Sequence, residues 1–202
     1  MLRFQMIRRL TLFAFLLPLI SVASIPEDPL EVNPVEVGST LPDVYLTDAE
    51  GHPIALRELA AQQATVIVFY RGGWCPYCNL HLAAFGEIEA RLMAEGYKII
   101  ALSPDRVEKV REVASLADYK YSLYSDATME VAKAFGLAFR AANPSTKTIN
   151  RLEAASGETH HLLPVPAVFV ANAEGRIIFR YYNADYKQRL SAEALLEAIQ
   201  AN

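Results

Sequence analysis

The feature that most limits the folds open to this chain is a short stretch holding both of its cysteines. Residues 66–70 are apolar or aromatic and run directly into Arg71, a glycine pair, a tryptophan and the motif Cys75-Pro-Tyr-Cys78. An apolar run that ends at a glycine pair predicts a buried strand followed by a tight turn. Proline is favoured at the first position of a helix. We therefore expect the cysteines in the first turn of a helix that follows a central strand.

The spacing of the two cysteines fits a redox-active dithiol. Residues three apart share one face of a helix, so Cys75 and Cys78 can close a small disulfide ring. The free N–H groups of the first turn and the helix dipole stabilise a thiolate at Cys75 and lower its pKa. We expect Cys75 to be the attacking sulfur and Cys78, one turn deeper, to be the resolving sulfur. Trp74 is expected to cover the site, Arg71 to add positive charge, and Pro76 to start the helix.

Two plainer interpretations of the motif stay open. A structural disulfide usually closes a longer loop, because its stabilising effect grows with loop length. A zinc site needs two ligands in addition to a cysteine pair. A redox-inert or metal-binding domain is therefore one candidate, while the redox interpretation requires no metal and no cofactor. His81 lies three residues after Cys78 and is a further candidate for contact with the site.

Length and charge limit the class of protein. A chain of 202 residues that is 52% hydrophobic fits a single compact domain. Its net charge of −4 gives no basis for a nucleic-acid partner. The sequence does not indicate an oligomeric state.

The N-terminus has the order of a secretory signal. Three arginines precede an apolar run at 10–22, and small residues follow at 21–24. This order predicts a signal peptide at 1–24 with cleavage near Ala23 or Ser24, and hence export, with the periplasm as the expected location. An uncleaved membrane anchor is the alternative. Export places the dithiol in an oxidising compartment, so an external thiol reductant must supply its electrons.

Beyond this segment, the sequence predicts a loose leader at 25–37, rich in proline and glutamate, and one domain at 38–202. Residues 139–163 show no clear periodicity and are predicted to form a long insert near the active face. Predicted strands cover 44–46, 53–56, 64–70, 97–102, 121–124, 167–170 and 177–181, and predicted helices cover 56–61, 76–95, 106–116, 129–135 and 192–199. This alternation predicts an α/β fold with a mixed central sheet, helices on both faces and an N-terminal hairpin.

The order of elements, with a dithiol after a central strand and a proline before the penultimate one, resembles the thioredoxin fold. Several motifs resemble those of its peroxiredoxin-like branch, the alkyl hydroperoxide reductase/thiol-specific antioxidant (AhpC/TSA) family. They are Gly38–Asp43, Ser103–Asp105, Tyr124–Asp126 with Glu130–Gly136, and Val165–Val170 with Glu174–Arg176. The resemblance covers about residues 38–199 and implies a thioredoxin-like fold and antioxidant or other thiol-based redox activity.

The chain departs from that family at three positions. Gly72 stands where the family has threonine or serine, Val68 where it has proline, and Pro166 where it has an arginine. The family's polar groups polarise the peroxide O–O bond, so their loss implies weaker stabilisation of that transition state. Pro166 instead matches the cis-proline that faces the dithiol in thioredoxins. There, the adjacent backbone, here at Val165, pairs with substrate chains.

Together with the predicted signal at 1–24, the resemblance and its departures imply an exported thiol–disulfide oxidoreductase, whose substrate is a disulfide. The alternative is a thiol-dependent peroxidase that reduces hydroperoxides. Many thioredoxins also bury an acid on the strand before the dithiol, but residues 65–70 contain no aspartate or glutamate. A proton for Cys78 must accordingly come from water or from another part of the chain.

Overall fold

The computed structural model describes residues 24–61, 63–116, 119–141 and 145–201. Apart from Ser24, the predicted signal peptide at 1–24 lies outside the described residues. Within the described ranges, no helix combines the length and the apolar character needed to cross a bilayer.

The domain alternates short strands with helices. The strands are β1 (Tyr45–Thr47), β2 (Pro53–Ala55), β3 (Ala64–Phe69), β4 (Tyr97–Ser103), β5 (Ser122–Ser125), β6 (Ala138–Arg140), β7 (Leu162–Pro164), β8 (Ala167–Ala171) and β9 (Ile177–Tyr182). The helices are α1 (Leu56–Ala61), α2 (Pro76–Ala94), α3 (Val107–Leu116), α4 (Glu130–Ala134), α5 (Thr146–Ser156) and α6 (Ala192–Gln200), with a 3₁₀ turn at Pro29–Glu31.

A mixed sheet with the strand order β2-β1-β5-β4-β3-β8-β9 forms the centre of the domain. Strand β3 is parallel to β4 and antiparallel to β8, so Val68 lies between Ala101 and Val168 in the register. Strands β1 and β2 form the N-terminal hairpin. The predicted fold class is confirmed, and it places the C-terminal end of β3 in the middle of the sheet.

Strand β3 divides the interior into two cores, because alternate residues of a strand point to opposite faces of the sheet. Val66, Val68 and Tyr70 belong to the core that also contains both cysteines and is covered by α2 and α6; we call it the dithiol-side core. Ile67 and Phe69 belong to the core on the other face, where α1 and α4 pack; we call it the opposite core. Helices therefore cover both faces of the sheet.

Residues 25–37 are docked on the domain, which differs from the loose leader predicted for this segment. The amide of Arg140 donates to the carbonyl of Pro26 (2.7 Å), and the guanidinium of Arg180 pairs with Glu36 (2.7 Å). The segment is rich in proline and glutamate, and its few apolar residues are widely spaced, so the sequence shows no clear sign that it packs on the domain. Those that pack against the opposite core are Ile25, Val32 and Val35.

The segment 139–163 contains regular structure that its sequence does not signal. Strands β6 and β7 pair as a small antiparallel sheet, and α5 lies between them. Helix α5 is preceded by Ser145, whose hydroxyl accepts from the amide of Thr148, and it is followed by Gly157 with φ 77°. The buried side chains of α5 are few (Leu152, Ala155 and Ser156). Its apolar stripe is therefore too thin to show as a helical period.

Candidate active site

The cysteine motif forms the start of α2, directly after the central strand. Cys75 is the residue before the helix, and its carbonyl accepts from the amides of Cys78 (3.0 Å) and Asn79 (3.2 Å). Pro76 occupies the first helical position, where its missing N–H leaves no backbone bond unmade. The side-chain amide of Asn79 also donates to the carbonyl of Gly73 (2.9 Å), which ties the loop to the helix.

A buried acid from the loop after β4 holds the loop before the motif. Asp105 is 1% exposed, and its Oδ2 accepts from the amide of Gly73 at 2.7 Å. Burial is the main cause that raises the pKa of its carboxyl. In the sequence, Asp105 is recognisable only as part of a family motif, and nothing there assigns it to the site. Asp105 lies in the loop that follows β4, whereas thioredoxins bury their acid on the strand before the dithiol, which is β3 here.

Gly72 is required by the geometry of this loop. Its φ is 130°, and a Cβ placed there would lie 2.5 Å from Nε1 of Trp74 and 2.7 Å from Oδ1 of Asp105. The threonine or serine of the related motif cannot be accommodated without moving both side chains. The backbone conformation and close packing of this loop therefore require glycine at position 72, where the family has threonine or serine.

The two thiols of the motif have opposite pKa shifts. The pKa of Cys75 is lowered to about 6, chiefly because the thiol of Cys78 donates a hydrogen bond to its sulfur, and further by the amide of Cys78 and by Arg71 and Arg189. The same hydrogen bond, together with burial, raises the pKa of Cys78. Near neutral pH, the pair therefore carries one thiolate, at Cys75, and one proton, at Cys78.

Two arginines supply positive charge to the dithiol. The guanidinium of Arg71 lies 5.3 Å from the ring centroid of Trp74 and 4.3 Å from that of Tyr186. Arg189, which was not predicted as a site residue, donates through Nη2 to Sγ of Cys78 at 3.4 Å. Its Nε donates to the carbonyl of Tyr186 (2.7 Å), which fixes the side chain. Arg189 lies in the loop before α6, and no local motif marks it.

Both cysteines are buried, and both are free thiols. Cys75 is 2% exposed and Cys78 is 0% exposed. The sulfur of Cys75 has no open approach from solvent, because Cys75 is part of the dithiol-side core and Trp74 packs against that core. The asymmetry between the thiols comes from hydrogen bonding and charge, and exposure contributes little to it.

His81 is buried beside the site as a neutral ring. It is 6% exposed, its ring centroid is 4.3 Å from that of Phe85, and neither ring nitrogen has a hydrogen-bond partner among the described residues. Burial, followed by the charge of Arg189, lowers the pKa of His81 to about 4. His81 therefore does not carry the positive charge of the site.

Val165 and Pro166 do not form the substrate-facing edge that was expected. The described residues contain no cis peptide bond, so the expectation of a cis-proline at Pro166 is wrong. The amide of Val165 donates to the carbonyl of Leu137 (2.9 Å), and the carbonyl of Pro166 accepts from the amide of Asn183 (3.2 Å). The side chain of Val165 packs in the opposite core, away from the face that holds the cysteines. Residues just before β6 and just after β9 therefore occupy backbone groups that a substrate chain was expected to bind.

No cluster of three or more histidine, cysteine, aspartate or glutamate side chains suited to a metal occurs within the described ranges. His160 interacts through Nε2 with the carbonyl of Ala127 (2.8 Å), and His161 pairs with Glu153 (2.8 Å). These histidines have structural partners outside the dithiol-side core.

A mixed sheet covered on both faces, with a dithiol at the start of the helix after its central strand, defines a thioredoxin-fold redox protein. The family model described as AhpC/TSA matches residues 37–180. The chain belongs to the AhpC/TSA family, the peroxiredoxin-like branch of the thioredoxin fold.

Individual relatives agree with this placement. Peroxiredoxin bcp1 of Schizosaccharomyces pombe is 28% identical over 102 residues, covering 50% of this chain and 52% of that protein. Thiol-disulfide oxidoreductase ResA of Bacillus thuringiensis is 22% identical over 157 residues, covering 77% of this chain and 75% of ResA. Peroxidoxin BcpB of Mycobacterium tuberculosis superimposes with a TM-score of 0.65 at 22% identity, over 83% of this chain and 97% of BcpB. The family and these relatives identify the chain as an oxidoreductase.

Proposed function

We propose that the protein is a thiol–disulfide oxidoreductase in which Cys75 attacks the substrate and Cys78 resolves the intermediate. One observation carries the proposal: within a single buried pair, the pKa of Cys75 is lowered to about 6 while the pKa of Cys78 is raised. The thiolate is the nucleophile in disulfide exchange. The hydrogen bond between the thiols, the nearby arginines and burial thus make Cys75 the sulfur that attacks first.

The proposed reaction has two exchange steps. The Cys75 thiolate attacks one sulfur of a substrate disulfide, forms a mixed disulfide and releases the other substrate sulfur as a thiolate. Cys78 then loses its proton and attacks Sγ of Cys75, the bond from Cys75 to the substrate breaks, and the second substrate thiol leaves. Two electrons pass to the substrate, and the pair becomes a disulfide. An external thiol reductant restores the dithiol by the reverse exchange.

Arg189 assists the second step. Cys78 must become a thiolate before it attacks, although burial and the neighbouring sulfur raise its pKa. The guanidinium of Arg189 donates to the Cys78 sulfur at 3.4 Å, and its charge favours the thiolate. Arg189 thereby offsets part of the cost of ionising a buried thiol.

A thiol-dependent peroxidase is the second candidate. It is favoured by the relatives that are named peroxiredoxins and by the positive charge of Arg71 and Arg189 near Cys75. In that reaction, Cys75 takes the distal oxygen of a hydroperoxide to give a sulfenic acid and an alcohol. Cys78 then forms the disulfide and releases water. Gly72 offers no hydroxyl to the peroxide, and loss of one preorganised donor costs about 10²–10³ in rate.

We expect the reduced protein to react faster with a small disulfide than with hydrogen peroxide. Disulfide exchange requires a thiolate, whereas rapid peroxide reduction also requires donors aligned on the O–O bond. Stopped-flow fluorescence of Trp74, the only tryptophan, compares hydroxyethyl disulfide with hydrogen peroxide at one pH and one concentration. The oxidised protein mixed with each reagent is the blank. A faster reaction with peroxide would favour the peroxidase instead.

We also propose that the protein is exported and that its signal is removed. The basic, apolar and small segments of residues 1–24 support this proposal. N-terminal sequencing of protein recovered from the periplasmic fraction is expected to begin near Ser24 or Ile25. Full-length protein found only in the cytosol would rule out export, and full-length protein in the membrane fraction would identify an uncleaved anchor.

A further inference from the structure

The loop between β9 and α6 crosses the end of α2 that carries the dithiol. The guanidinium of Arg71 lies 4.3 Å from the ring centroid of Tyr186, and the ring of Tyr77 meets the Tyr186 ring edge-on at 5.7 Å. Arg71 and Tyr77 flank Cys75 in the sequence, and the charge of Arg71 acts on the Cys75 thiol. The Tyr186 ring therefore bridges the two sides of the buried reactive sulfur.

The same loop also reaches the resolving sulfur. Nη2 of Arg189 donates to Sγ of Cys78 at 3.4 Å. Nε of Arg189 donates to the carbonyl of Tyr186 at 2.7 Å, which ties the guanidinium to the backbone that carries the Tyr186 ring. The loop is therefore attached to the dithiol by side chains at both of its sulfurs.

Residues 184–189, which we call the Tyr186 loop, make no backbone hydrogen bond to the sheet or the helices in the described part of the chain. Their backbone bonds stay local. The amide of Gln188 donates to the carbonyl of Asp185 (2.9 Å), and the amide of Lys187 donates to the Asp185 carboxylate (3.0 Å). Segments whose backbone bonds are local and exposed belong to the parts of a protein that open at the lowest free-energy cost. The Tyr186 loop can therefore be displaced as a unit.

The other residue that covers the dithiol, Trp74, belongs to a loop that is held more firmly. Its neighbour Gly73 is bonded through both backbone groups, since the amide donates to Asp105 (2.7 Å) and the carbonyl accepts from the side chain of Asn79 (2.9 Å). Displacing this backbone breaks both bonds, one of them to a buried carboxylate. Of the two covering segments, the Tyr186 loop is therefore the one that moves more easily.

We propose that the Tyr186 loop is a lid that opens to admit the substrate to Cys75. The inference rests on the proposed disulfide exchange and names the residue that controls its first step. Cys75 is 2% exposed, so a substrate reaches its sulfur only after a covering group has moved. Displacement of the loop breaks the two ring contacts of Tyr186 and withdraws Arg189, while the sheet and α2 keep their backbone bonds. Tyr186 is a positioning residue, because it acts through access to Cys75.

Access to Cys75 is tested by alkylation, which requires no exchange reaction. The rate of iodoacetamide labelling rises with pH to a plateau, so the midpoint reports the pKa of Cys75 and the plateau reports access to the thiolate. Tyr186→Ala is expected to raise the plateau about tenfold, because it removes one cation–π contact and one aromatic pair. Tyr186→Phe keeps both ring contacts and is expected to label at the wild-type plateau. Peptide mapping establishes that the label is on Cys75.

Tyr182→Ala is the matched control. The ring centroid of Tyr182 also lies near an arginine, 5.7 Å from the guanidinium of Arg180, but that guanidinium donates to the carbonyl of Pro34 on the N-terminal segment. We expect the plateau of Tyr182→Ala to equal that of the wild type. An unchanged plateau in a folded Tyr186→Ala variant, or an equal rise in Tyr182→Ala, would overturn the lid.

Tyr77→Ala provides a second variant that leaves the loop sequence intact. It removes only the edge contact with the Tyr186 ring, so the plateau is expected to rise about threefold. Circular dichroism establishes whether each variant is folded. If Tyr186→Ala is not folded, Tyr77→Ala decides the matter, and an unchanged plateau there would overturn the lid.

The two exchange steps separate a lid from a general loosening of the site. With hydroxyethyl disulfide, we expect Tyr186→Ala to form the mixed disulfide on Cys75 about tenfold faster, by the same factor as the alkylation plateau. Its release by Cys78 is expected not to accelerate, because the two thiols are already hydrogen-bonded to each other. Quenched samples analysed by intact mass spectrometry follow both steps. Equal acceleration of both steps would overturn the lid. If no mixed disulfide forms in any variant, the exchange reaction is contradicted, and the alkylation plateau still decides whether the loop covers Cys75.

Discussion

Cys75→Ser is expected to abolish disulfide reduction, whereas Cys78→Ser is expected to leave a protein that captures its substrate. Cys75 supplies the only thiolate of the pair near neutral pH, since the pKa of Cys78 is raised by its hydrogen bond to Cys75 and by burial. Without Cys75, the remaining thiol is 0% exposed, and burial still raises its pKa. We expect turnover to fall by more than about 10³, the scale of loss when a catalytic nucleophile is removed.

Trapping distinguishes the roles of the two sulfurs. In Cys78→Ser the mixed disulfide on Cys75 has no internal thiol to release it, so it accumulates and is seen as an added substrate mass by intact mass spectrometry. The double variant without cysteines is the control for labelling elsewhere. If Cys75→Ser traps substrate and Cys78→Ser does not, the assigned order of attack is reversed.

Removing the hydrogen bond from Cys78 is expected to raise the pKa of Cys75 from about 6 toward the ordinary thiol value of 9.0. Cys78→Ala deletes the donor, while Cys78→Ser keeps a hydroxyl that can donate in its place. Each unit of pKa changes the thiolate fraction at low pH tenfold. We therefore expect iodoacetamide to alkylate Cys75 at least about tenfold more slowly in Cys78→Ala than in Cys78→Ser at pH 6. The rate of iodoacetamide labelling against pH measures the midpoint in each variant.

Variants of Arg71 and Arg189 test how much each positive charge lowers the pKa of Cys75, compared with the hydrogen bond from Cys78. Arg71→Leu and Arg189→Leu are expected to raise the midpoint in the same direction, but by less than Cys78→Ala, because their charges are the smaller causes of the low pKa of Cys75. A larger rise in either arginine variant than in Cys78→Ala would show that charge, and not the neighbouring thiol, controls the nucleophile.

The same interactions bear on the reduction potential of the pair. A pKa lowered in the native state stabilises the reduced protein fully above the ordinary value of 9.0, and this stabilisation is lost as the pH falls through about 6. The oxidised protein has no thiolate, so the hydrogen bonds and positive charges around Cys75 do not stabilise it in the same way. The disulfide is therefore easier to reduce than it would be without them, as in oxidoreductases whose reduced form is stabilised.

Local signals explain why much of the site was predictable. A buried run, a glycine pair and a proline after the first cysteine specify a strand, a turn and a helix start within a few residues. Helix α2 covers Pro76–Ala94, close to the predicted range 76–95, and is followed by Gly96 with φ 85°. The seven strands predicted from alternation all occur in the central sheet.

The remainder of the site depends on contacts that no local pattern encodes. Arg189 reaches Cys78 across 111 positions of sequence, and Asp105 reaches Gly73 across 32. The burial of Cys75 is likewise set by packing against distant elements. The expectation for Val165 and Pro166 failed for the same reason, because their backbone partners, Leu137 and Asn183, are distant in the sequence.

The residues that directly follow the docked segment 25–37 determine how the sheet ends. Strand β9 is the outermost strand on its side, and unpaired strand edges promote aggregation by pairing with other chains. Here the amide of Ile177 donates to Ser39 (2.9 Å), and its carbonyl accepts from the amide of Gly38 (2.8 Å). Just before the strand, the carbonyl of Gly175 accepts from the amide of Leu41 (2.8 Å). The chain thereby caps its own sheet edge and denies that part of it to a second copy.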